Sequence, residues 1–313
     1  MTRHVAIRMG ATVRACLVLA PMLAAAAALE GARAQAGGDP RVPAGRDPGG
    51  IPVAILGPGI DYRAPEVAGR LARDGEGELI GWDFIDNDAR PFEASPDCVT
   101  MACSDTSPPD VAPGAVVPSR LLLAEAGASR LIVLKLRDGD RGTLAAAIAF
   151  VSRSPARIVP TLVGGTAGAG PDWPLLIEAA RRFSNLLFIV PAYGPPIDVA
   201  GFADVPVGNL LIVAPASPAG ELSTRSMVAP VADVAVAVEG WLDRPPDGNR
   251  RQAVRAAARV AAIAAGLLAV DPLLDAHGLK SRILTLAAPL PVPDASRVRS
   301  GWLATPRRHF WPE

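Results

Sequence analysis

The chain has 313 residues, half of them hydrophobic and 20% charged, and its 31 Lys+Arg balance its 31 Asp+Glu. So much apolar surface excludes a disordered chain. Zero net charge argues against a nucleic-acid binder or a protein held on an anionic membrane, since both need an excess of base.

The N-terminal segment has the layout of a bacterial secretory signal peptide. Arg3, Arg8 and Arg14 precede an apolar run at 16–29, and Ala32-Arg33-Ala34 offers a small-x-small cleavage site. The run is short of the roughly 20 residues that a membrane span needs, and it contains Pro21. Residues 1–34 are therefore expected to be removed, leaving a periplasmic or secreted chain with no stable membrane span. Residues 35–50, rich in Gly, Pro and Asp, read as a flexible lead-in.

Short apolar runs follow at 53–56 (VAIL), 131–136 (LIVLKL), 158–163, 186–190 (LLFIV) and 210–214 (LLIVA). None alternates strictly between apolar and polar residues, which suits strands covered on both faces of a parallel sheet. Between them, 143–153 and 173–184 read as helices, the second with Pro174 in its first turn, where a missing N–H costs little. Residues 253–270 are mostly Ala, Val, Ile and Leu, as expected of a helix running through the core. A more amphipathic helix follows at 275–286, with Asp275 as its N-cap. This switching between periods predicts an α/β fold with a central parallel sheet.

Few groups are available for chemistry. The three histidines are His4, His277 and His309, so no imidazole lies between Val53 and Val270. The motifs of a nucleophile elbow, a zinc protease and a phosphate-binding loop are all missing. Beyond the signal peptide the cysteines are Cys98 and Cys103. In an oxidising compartment their first reading is a local disulfide contributing about 2 kcal/mol, with a metal pair as the alternative. In the acidic loop GWDFIDNDARPFE, Asp83, Asp86 and Asp88 are either a solvated turn or oxygen ligands for Ca²⁺.

Taken together, several stretches resemble the subtilisin-like serine peptidases (the peptidase S8/S53 fold), in family order. VAILGPGIDYRAPEVAGRL is similar to the first catalytic segment, and GWDFIDND to the stretch that often follows it. APGAVVPSRLLLAEAG is similar to the His-Gly-Thr helix, and LIVLKLRDGDRGTLAAAIAFV to the next strand, loop and helix. IVPTLVGG resembles the strand lining the substrate cleft, LLFIVPAYGPP the strand ending in Ala-Gly-Asn, and AVRAAARVAAIAAGLLAVDPLLDAHGLKSRIL the helix of the nucleophilic serine and its successor. The resemblance implies a three-layer α/β/α domain over 51–288, followed by a tail at 289–313.

It also implies that the chemistry has been lost. Gly57 stands for the catalytic Asp, Pro113 for the His, Pro195 for the oxyanion Asn and Val254 for the nucleophilic Ser. Neither Gly nor Val can attack a carbonyl, and Pro can neither relay a proton nor hold an oxyanion. Deleting one member of a buried polar network orphans the rest, whereas replacing every member by apolar residues can be neutral. The expected function is that of an exported pseudoprotease, without catalytic residues or cofactor. It would bind a peptide or protein partner through a cleft that includes Leu162, Val163, Gly164 and Gly165. The alternatives are an active serine-type endopeptidase using Ser119, Ser223 or Ser226 with His277, and a structural cell-envelope protein.

Overall fold

The computed structural model describes residues 39–93, 116–162, 170–193, 207–222, 232–240, 250–290 and 298–304. Residues 41–313 form one compact unit. Its strands are β1 (Ile51–Gly57), β2 (Gly81–Asp83), β3 (Ser129–Lys135), β4 (Ile158–Pro160), β5 (Leu187–Pro191), β6 (Leu210–Ala216), β7 (Val234–Ala237) and β8 (Trp302–Leu303). Its helices are α1 (Pro65–Ala68), α2 (Val116–Glu125), α3 (Arg141–Val151), α4 (Trp173–Arg182), α5 (Arg250–Val270) and α6 (Ala276–Thr285).

The strands make one sheet in the order β2-β3-β1-β4-β5-β6-β7-β8, with every neighbouring pair parallel. Successive residues of each strand enter different apolar layers. Val53, Ile55, Leu131, Val133, Leu187 and Ile189 join the layer containing α2, α5 and α6. Ala54, Leu56, Ile132, Leu134, Phe188 and Val190 join the layer containing α3 and α4. Both faces are covered, which is why the strands read as continuous apolar runs. The architecture is the three-layer α/β/α arrangement expected from the sequence.

Helix starts follow local chemistry. Asp140 caps α3 by accepting from the Gly142 and Thr143 N–H groups, and Asp172 caps α4 by accepting from Leu175 N–H. The expected core helix is α5, and its Ala-rich surface lets it lie close to the sheet. By length and composition α5 would cross a membrane, yet most of it is buried inside this domain. Arg259, itself buried, anchors the helix by donating to Glu125 Oε1 at 2.8 Å and to the Ala237 carbonyl at 2.6 Å.

Two segments behave differently from their sequence reading. The part of the lead-in over 41–50 is tied to the body: Asp47 accepts from the Gly49 and Arg73 N–H groups and pairs with Arg130. The tail, read as a separate segment, contributes β8, which pairs with β7 at Ala235 and Val236. A run of two residues carries too little periodicity to be recognised before its partner is known.

Candidate functional site

From β1 the chain goes outward to β2 and β3 on one side, then to β4 and the remaining strands on the other. The strand order thus reverses between β1 and β4, and ligands of open α/β sheets bind outside the carboxyl ends of strands at such a point. Gly57 is the last residue of β1, in register with Lys135, and its carbonyl accepts from Leu136 N–H at 2.7 Å.

The Lys135 side chain packs beside Gly59, two residues beyond β1. A Cβ on Gly59, which has φ +113°, would lie 3.1 Å from Lys135 Cδ and 3.0 Å from Glu93 Cβ, so only glycine passes there without displacing a neighbour. The Lys135 ammonium stands 2.9 Å from Asp83 Oδ2 and 3.6 Å from Asp86 Oδ2. Asp83 Oδ1 accepts from the Ile85 and Asp86 N–H groups, at 2.7 and 3.0 Å, which folds the acidic loop into a turn.

Of the three acids read as calcium ligands, Asp83 and Asp86 bring carboxylate oxygens within 4.8 Å of one another. A divalent ion there would have to compete with the ammonium of Lys135. Asp88 does not join them, because its carboxylate is taken by Arg90 at 2.6 Å.

Leu162 lies just beyond β4, buried, and its N–H donates to the Leu56 carbonyl at 2.7 Å. It therefore lies at the junction of β1 and β4. Val254 sits one turn into α5 and is 2% exposed in the apolar layer beneath the sheet. Ser119 is wholly buried in α2. His277 is exposed on α6, its Nδ1 2.5 Å from where a Cβ on Gly208 would stand. Gly208 precedes β6, at the amino edge of the sheet, so His277 and Gly57 lie at opposite edges. Pro113, Pro195, Cys98, Cys103, Val163, Gly164, Gly165, Ser223, Ser226 and His309 lie outside the described residues.

The carboxyl edge also carries residues that sequence reasoning missed. Tyr193, two positions beyond β5, is 5% exposed, and its hydroxyl has no hydrogen-bond partner among the described residues. Burial pushes its pKa up to about 12, against the pull of the nearby Arg250 charge. Arg250, the first residue of α5, places its guanidinium carbon 5.7 Å from the Tyr193 ring centroid and pairs with Asp138 beyond β3. One signal was available: Tyr193 is one of two tyrosines in the chain and directly follows an apolar strand.

No protein-family model matches the chain, and no curated protein matches its sequence. Solved structures do match its fold. A cold adapted subtilisin-like serine proteinase superposes with a TM-score of 0.56 at 17% identity, over 87% of this chain and 94% of that one. A lanthipeptide protease superposes with a TM-score of 0.53 at 13% identity, over 82% of this chain and 86% of that one. The fold is subtilisin-like.

Proposed function

We propose that this chain is an exported protein that keeps a subtilisin-like fold, has given up peptide-bond hydrolysis, and acts by binding an extended peptide or protein segment. The observation that carries the reading is the residue ending β1. It is Gly57, in register with Lys135 of β3, where hydrolysis by a triad needs a carboxylate to orient an imidazole. The sequence supplies no histidine between Val53 and Val270, and His277 belongs to the other edge of the sheet. Val254, packed among apolar side chains of α5, offers no nucleophile.

Binding would use what remains at this edge. Beyond Leu162 the backbone of 163–165 is expected to accept an added strand, with main-chain hydrogen bonds supplying affinity. The deciding experiment incubates the purified mature protein with casein and with a fluorophosphonate probe, and in parallel screens immobilised extended peptides. Capture of peptides without hydrolysis or labelling is the expected result. Casein cleavage accompanied by covalent labelling overturns the reading.

A further inference from the structure

Three segments that leave the sheet at different strands meet at its carboxyl edge. Asp138 stands three residues beyond β3, Tyr193 two residues beyond β5, and Arg250 begins α5. Arg250 holds the other two, by an ion pair to Asp138 and by its guanidinium over the Tyr193 ring. The sheet order β3-β1-β4-β5 puts β1 and β4 between the two anchor points. With neighbouring strands about 4.8 Å apart, the contacts cross roughly 14 Å of sheet edge. Between the anchor strands in the sheet lie the two strands at which the chain order reverses, β1 ending at Gly57 and β4 followed by Leu162.

The two halves of this bridge differ in character. Tyr193 is 5% exposed and packs as part of the domain. The Arg250 and Asp138 side chains are 21% and 29% exposed, so water and salt reach their contact. The ion pair is thus the place where the bridge parts most easily.

We infer that Asp138, Arg250 and Tyr193 form a strap that closes the crevice over the ends of β1 and β4 in the free protein, opening at the Asp138–Arg250 pair. An extended chain laid across that crevice has to displace the strap first. The strap goes beyond the binding reading, because it is a property of the protein alone. Casein cleavage would overturn that reading and leave the strap standing.

The test is amide hydrogen exchange, followed by mass spectrometry, on the whole mature protein. Asp138→Asn and Arg250→Gln each speed exchange at the Leu162 and Ala192 amides by about three- to tenfold, while the α6 amides keep their rates. Arg250→Lys, which keeps a cation for both Asp138 and the Tyr193 ring, holds the rates near wild type. Raising the salt concentration on the unaltered protein speeds the same amides, which keeps the test valid should a variant fold poorly. Unchanged exchange at Leu162 and Ala192 in the Asp138→Asn and Arg250→Gln variants, acceleration that extends equally to α6, or an Arg250→Lys variant that exchanges as fast as Arg250→Gln each overturns the strap.

Discussion

The ammonium of Lys135 lies 2.9 Å from a carboxylate oxygen of Asp83, whose side chain is wholly out of solvent. A lysine inside an apolar strand is tolerated only because the acidic loop delivers this counter-charge.

Lys135→Met leaves the Asp83 carboxylate buried without that ammonium and is expected to cost about 3–5 kcal/mol. The double variant with Asp83→Asn removes both charges and should recover most of the loss. Guanidinium unfolding of both single variants and the double closes the cycle. A single-variant loss below about 1 kcal/mol would show that the pair does not hold this edge together.

Asp47 predicts an acid-sensitive anchor. Burial raises its pKa, but the side-chain hydrogen bond from Arg130 and the N–H groups of Arg73 and Gly49 outweigh it, so the carboxyl ionises below the ordinary range. A depressed carboxyl stabilises above its unfolded pKa, and that stabilisation fades as pH falls through the folded value. Asp47→Asn should therefore lower Tm by about 2–4 °C at pH 7, and the gap should narrow as the pH falls below the ordinary carboxylate range. Melting curves across that range test it, and a gap independent of pH would exclude the linkage.

Tyr193 predicts the opposite limb. Its pKa is raised by burial to about 12, so the folded chain holds the phenolic proton after the unfolded chain has lost it. Stability from this group is complete below about pH 10 and declines as pH rises toward 12. Tyr193→Phe should flatten that alkaline decline. Absorbance titration of the phenolates gives a direct reading, and ionisation near pH 10 in the folded protein would refute the buried assignment.

Putting polar groups back at the substituted positions should not restore hydrolysis. Val254→Ser, alone or with Gly57→Asp, places polar atoms in buried surroundings and is expected to destabilise by roughly 1–3 kcal/mol. Casein assays should stay blank because no imidazole accompanies them. Measurable turnover by either variant would mean that a base reaches Val254 from elsewhere in the chain.

Five strands were legible because β1, β3, β4, β5 and β6 are covered on both faces and so are apolar at nearly every position. β7 was missed because Val234–Ala237 is a brief run of small residues that needs β6 and β8 beside it to become a strand. Lys135 stood out within its run, but no local rule says which of the neighbouring acids answers it, and Asp83 comes from β2, which pairs beside it in register. The Asp138–Arg250 contact spans 112 positions of sequence, a separation at which periodicity is silent.

Among the described residues the sheet is bounded by two short members, three residues of β2 on one side and two of β8 on the other. Long bare flanks invite a second copy to extend the ladder, and stubs this brief offer too few free amides and carbonyls to template one. Edge-to-edge stacking of copies is thereby discouraged at these two flanks.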